Sequence, residues 1–209
     1  MQSNIVTQPF VTSLNAIREH KPCTKGWTKL LKHLKKTQAD DEELNLLTVL
    51  ESNGLDDALW CLRAVKGQDK AIRLYAVWCA RQVQHLMKDQ RSLDALDMAE
   101  KFAKGEATEQ ELEDASNSAY DSAHTANTAR DAAANAAAYA AYGAAYGAAR
   151  DAAYGAAYGA ARDAANSSYA AARGAAYSAA YSANSAAARA SAKAKQKQEL
   201  ILVLNGKYS

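Results

Sequence analysis

LTVLESNGLDDALWCLRAV, residues 47 to 65, is the stretch on which the reading of the first half of the chain turns. Leu47, Val49 and Leu50 continue an apolar helical set opened by Leu44 and Leu46. Ser52-Asn53-Gly54 ends it, because glycine readily takes the positive-φ conformation at which helices stop. A second helix starts at once. Asp56 or Asp57 caps it, Leu55, Ala58, Leu59, Leu62 and Val65 share one face, and Gly67 closes it. Two adjacent acids at a helix start are read as capping residues rather than catalytic ones.

Toward the N-terminus, Asp40 to Glu43 form an acidic cluster directly before the apolar run, where carboxylates favour the positive end of a helix dipole. Lys25 to Lys36 precede it as the clearest amphipathic helix in the chain. Trp27, Leu30, Leu31 and Leu34 fall at i, i+3, i+4 and i+7, and Lys29, Lys32, Lys35 and Lys36 lie elsewhere on the wheel. Lysines opposite an apolar stripe are read as a solvated face, and nucleic-acid binding through them is kept as a minor reading. Phe10, Leu14 and Ile17 predict a short helix between Phe10 and His20, stopped by Pro22, whereas Met1 to Gln8 show no period.

Toward the C-terminus, Ile72, Tyr75, Ala76, Cys79, Val83 and Leu86 keep helical spacing from Asp69 to Met87, with His85 near the negative end of the dipole. Trp60 and Trp78 are assigned to the core. Leu93, Leu96, Met98, Ala99 and Phe102 predict a helix from Ser92 to Lys104, ended by Gly105, and Thr108-Glu109-Gln110-Glu111 spells a capping box. That box opens an Ala-dominated field running to about Ala194. Alanine is the best helix former and the field contains no proline, so it is expected to be helical.

Within the field, AAYGAAYGAARD occurs twice in tandem, Ala140 to Asp151 and Ala152 to Asp163. Tyr142 and Tyr146, like Tyr154 and Tyr158, share a helix face, but a twelve-residue step turns each pair by about 120° relative to the last. No single heptad seam results. Each interior glycine costs about 1 kcal/mol against alanine, so close neighbours must hold such helices. A single rod from Glu113 to Gln196 would span roughly 125 Å. A packed array instead needs breaks, for which Ser122 to Thr128, Asn166 to Ser168 and the Arg-Asp words at 130, 150 and 162 are candidates. The lysines at 193, 195 and 197 suit a helix end, and Leu200 to Leu204 form a buried last turn or a short docking strand.

The fold expected is all-α: an amphipathic helical region 1–106, an Ala-rich region 107–198 packed as a multi-helix array or bundle, and an apolar C-terminal segment 199–209. Lys+Arg 25 against Asp+Glu 23 leaves a net charge of only +2, which argues against a polyanion binder working by bulk charge. Three widely spaced cysteines, Cys23, Cys61 and Cys79, suggest neither a disulfide framework nor a zinc site. No signal peptide or membrane span is read, and the expected location is the cytoplasm.

The segment from Pro22 to Val83 carries Gly26-Trp27, the run Lys36-Thr37-Gln38-Ala39-Asp40-Asp41-Glu42, and Leu47 to Val65. Followed by an Ala-rich half, it resembles a group of tailed-phage and bacterial helical proteins, some of which are labelled as immunity proteins. The resemblance implies a phage or bacterial cytoplasmic source and an all-helical fold, and it supplies no catalytic residues.

His20, His33, His85 and His124 are scattered, and no nucleophile, base or metal set can be assembled, so neither catalysis nor a cofactor is expected. The leading reading is a helical interaction protein that binds a host or bacterial protein, with Tyr142, Tyr146, Arg150, Tyr154, Tyr158 and Arg162 as its candidate surface. The alternative is a self-assembling Ala-Tyr-Gly repeat protein forming homo-oligomers. Small-molecule binding is a minor alternative.

Overall fold

The computed structural model describes residues 10–87, 89–128 and 186–208, and among them the chain is predominantly helical. Its elements are β1 (Val11–Thr12), α1 (Leu14–Glu19), α2 (Thr24–Leu34), β2 (Leu44–Asn45), α3 (Leu46–Asn53), α4 (Leu55–Cys61), α5 (Asp69–Arg81), α6 (Gln90–Lys104), α7 (Glu109–Thr128) and α8 (Ala186–Leu204). The all-α class expected from the sequence is what the helices form. The exception is one antiparallel ladder two residues long, with Val11 opposite Asn45 and Thr12 opposite Leu44.

That ladder explains why the first helix is shorter than its periodicity suggested. Phe10 lies outside α1, fully buried, and its carbonyl accepts from the Leu46 amide at 3.0 Å. Thr12 Oγ1 donates to the Ala64 carbonyl at 2.7 Å, and the Ser13 hydroxyl then caps α1 by accepting from the Ala16 amide. Asn45 rather than the preceding acids caps α3, through Oδ1 and the Leu47 amide at 2.8 Å. The acids serve the turn after α2 instead: Lys36 Nζ donates to Asp40 at 2.6 Å and Glu42 at 2.7 Å. Asp56 and Asp57 occupy the first turn of α4 but do not cap it; Gly54 does, with φ 96° and ψ −177°, a conformation essentially reserved for glycine.

The main core gathers Phe10, Leu14, Ile17, Leu30, Leu46, Val49, Leu50, Leu59, Leu62, Ile72 and Tyr75, each buried. At about 1.5–3 kcal/mol per large apolar side chain, these positions drive the assembly of α1 to α5. Trp60 and Trp78 pack on this core half-buried rather than inside it. The apolar C-terminal run resolves as helix: α8 is continuous through Leu204 and inserts Leu200, Val203 and Leu204 into the same core. Tyr75, fully buried in α5, donates its hydroxyl to the Gln196 carbonyl of α8 at 3.2 Å.

A second, smaller cluster of Val77, Ala95, Ala99, Leu112 and Ala119 joins α5, α6 and α7, with Met98, Phe102 and Ala115 packed against it. Helix α5 ends at Arg81, and His85 sits exposed in a separate 3-10 turn, Gln84–Leu86. Asp89 caps α6 through the Arg91 amide, and Gly105 closes it in the left-handed region. The capping box forms: the Thr108 amide donates to Glu111 Oε2 at 2.7 Å, and the Glu111 amide to Thr108 Oγ1 at 3.3 Å. Residues Ser122 to Thr128, a candidate break, are helical within α7. The tandem repeat, the Asn166 to Ser168 patch and the three Arg-Asp words lie outside the described residues.

Helices α2, α3 and α4 meet at Gly26. A β-carbon there would stand 2.8 Å from Asp57 Oδ2 and 3.3 Å from Cys23 Sγ. Asn53 Nδ2 holds the junction by donating to the Gly26 carbonyl at 2.8 Å and to Asp57 Oδ2 at 2.7 Å. Alanine should favour the helix by about 1 kcal/mol, yet here it displaces an anchored carboxylate. In a double-mutant cycle read by chemical denaturation, Gly26→Ala should be about 1 kcal/mol more destabilising with Asp57 present than in an Asp57→Ala background. Additive effects would show that the approach is not tight.

Arg81 Nη2 bridges α5 to α6 through Asp97 at 2.7 Å and Glu100 at 2.9 Å, and Lys104 donates to Glu100 at 2.6 Å. Hydrogen bonds from Lys104 and then Arg81 hold the Glu100 carboxyl below its ordinary value of 4.5. A carboxyl depressed by folding stabilises fully above that value, and the contribution disappears as the pH falls through the folded one. Thermal midpoints should therefore fall more steeply between about pH 5 and 3 for the wild type than for Glu100→Gln. Parallel curves would assign the bridge no role in stability.

Candidate functional site

The cavity between α2, α3 and α4 has a volume of about 160 Å³. This is the size that accommodates one benzene-like group. Buried Ile17, Leu30, Val49 and Cys61 make its apolar lining, Trp27 and Trp60 add indole surface, and exposed Cys23 and Asp56 bring it to solvent. Asn53 and Asp57 are its inner polar groups.

Local sequence places each of these. Trp27 belongs to the apolar stripe of α2, where the Cys23 sulfur caps the helix by accepting from the Gly26 amide at 3.4 Å. On α4, Trp60 follows Asp56 by four residues and Asp57 by three, so indole and carboxylates share a helix side. The Gly54 junction turns α4 against α3, which sets Asn53 beside Asp57.

The two carboxylates differ in their surroundings. Asp56 accepts from Lys193 Nζ of α8 at 3.0 and 3.2 Å, an exposed pair of the kind worth no more than about 1 kcal/mol. Asp57 is half-buried and takes the Asn53 amide; among the described residues no cation pairs with it. The Arg63 guanidinium lies 4.2 Å from the Trp60 ring centroid and donates to the Trp60 carbonyl at 2.7 Å, but it does not line the cavity. The arrangement suits a small group with an apolar body and a charge or donor directed at Asp57.

Thiol chemistry is disfavoured at the buried cysteines. Burial, reinforced by the Asp57 charge, pushes the Cys61 thiol up to about 12, and burial does the same to Cys79. Both are protonated at neutral pH, the unreactive form. No group of three or more His, Cys, Asp or Glu that could hold a metal ion occurs among the described residues. Nor is any described helix long and apolar enough to cross a membrane.

The residues singled out from sequence fall elsewhere. Tyr142, Tyr146, Arg150, Tyr154, Tyr158 and Arg162 lie outside the described residues. Of the α2 lysines, Lys29, Lys32 and Lys35 are exposed, while Lys36 is engaged by Asp40 and Glu42. The cavity was not anticipated, although Gly26-Trp27 and Asp56-Asp57-x-x-Trp60 carried the signal: an indole one helical turn from paired acids. No family model, curated protein or solved structure matches the chain.

Proposed function

We propose that the chain is a non-enzymatic helical protein-interaction module that receives one side chain of its partner in the cavity between α2, α3 and α4. The observation supporting this is a solvent-reaching, two-tryptophan cavity with a carboxylate fixed inside it by Asn53. Tryptophans in partly enclosed pockets are the residues that most often dominate binding energy. A cavity of this size suits a single side chain better than a drug-sized substrate. Resemblance of Pro22 to Val83 to a group of phage and bacterial helical proteins, some of them labelled immunity proteins, is the ground for seeking the partner among host or defence proteins of a bacterial cytoplasm. The tandem tyrosines remain a second proposed contact surface.

The test compares proteins captured from bacterial lysate by wild type, by Trp27→Ala and Trp60→Ala, and by Tyr142→Ala combined with Tyr154→Ala. Circular dichroism checks that each variant is folded. A partner should be enriched by the wild type and its affinity should drop more than about tenfold for either tryptophan variant. Equal retention by both tryptophan variants, or no specific partner at all, would overturn the reading.

A further inference from the structure

Resting on that reading, we infer that the group received is an alkylated ammonium, of the methylated-lysine class, held by Trp27, Trp60 and Asp57. Three observations converge. Asp57 is a half-buried carboxylate with one neutral donor, Asn53, and no cationic partner among the described residues, so a cation is the complement its charge lacks. Trp27 and Trp60 give the same cavity two indoles, the best side chains for attracting a cation to a ring face, and Trp60 already holds one in Arg63 at 4.2 Å. Asp56, on the cavity's exposed side, already binds an alkylammonium, that of Lys193.

Alkylation decides between ammonium types. A primary ammonium carries three donors that lose water on entry. One Asp57 oxygen already takes Asn53, Lys193 competes for Asp56, and the remaining lining is largely apolar, so the cavity does not meet all three donors. Unmet donors are expensive to bury. A trimethylated head has none, is weakly hydrated, and gains from both the indoles and the carboxylate. Arg63 and Lys193 are each engaged, one on the Trp60 ring and the other on Asp56.

The experiment titrates four probes into the full-length protein and follows the indole N–H resonances of Trp27 and Trp60. The probes are a peptide containing trimethyllysine, the same peptide with unmodified lysine, choline, and 3,3-dimethylbutanol, the neutral isostere of choline. Choline should shift both indoles and bind at least about tenfold more tightly than its isostere. The trimethyllysine peptide should exceed its unmodified form by a similar factor, and Asp57→Asn should weaken both cations about tenfold. Tighter binding of the peptide than of choline identifies a partner side chain as the source; the reverse identifies a free small cation. Isostere binding equal to choline, unchanged affinity in Asp57→Asn, or no indole shift at about 10 mM cation would overturn the inference. If those results coincided with a partner lost in the tryptophan variants, the cavity would still be an interaction site and only its cation chemistry would fail.

Discussion

The insertion of α8 into the core formed by α1 to α5 is the constraint on which the rest depends. Leu200, Val203 and Leu204 join the buried cluster that holds Tyr75 of α5 and the leucines of α3 and α4. The same turn brings in Glu199, only 5 % exposed, and a carboxylate so placed requires compensation. Lys207 donates to it at 2.6 Å and Tyr208 at 2.8 Å, so the last residues of the chain fold back on their own helix to satisfy it. Burial, then the bond to Glu199, raises the Tyr208 hydroxyl above its ordinary value of 10.0. The apolar face and the Tyr75 bond to the Gln196 carbonyl orient α8 against α5, while Lys207 and Tyr208 compensate the carboxylate buried with it.

That orientation reaches the candidate site. Lys193 stands about two turns before Glu199 and arrives at Asp56, on the solvent side of the cavity. It partly compensates one of two adjacent carboxylates and leaves Asp57, the better enclosed one, without a cation among the described residues. The Gly26 approach has the complementary effect from α2. Because no β-carbon intervenes, Asp57 fits against the α2 backbone and Asn53 can bridge the two. The position of Asp57 therefore comes from backbone proximity and the two Asn53 bonds, without a dense network of side-chain hydrogen bonds.

Helix identity and apolar faces were legible in the sequence because a period of 3.6 residues survives any tertiary arrangement. Leu30, Leu50, Leu59, Ile72 and Leu96 are all buried on the sides their spacing assigned. Helix starts were less legible, since several residues can cap and tertiary contacts choose among them. Phe10 reads as helical, but the ladder with Leu44 and Asn45 draws it into extended chain; Asp40 and Glu42 read as helix-start acids, but Lys36 claims them. The site was half-legible. Asp56, Asp57 and Trp60 lie within one turn of each other in sequence, whereas Trp27 and Gly26 come from a separate helix whose approach no local pattern encodes.

The packing of α6 and α7 bears on the alanine-rich region by a different route. Ala95, Ala99 and Ala119 are buried there with Leu112 and Val77, and Met98 and Phe102 pack against them, so small residues bring the helices together and a few large ones fill the edges. Each alanine contributes little apolar area, and at about 25 cal/mol per Å² such a contact needs length to be stable. Helix α7 supplies it by running through twenty residues. Ser116 of α7 is buried at 1 % exposure, and its hydroxyl has no hydrogen-bond partner among the described residues. Residues that permit close approach are also those with the least power to specify one neighbour over another.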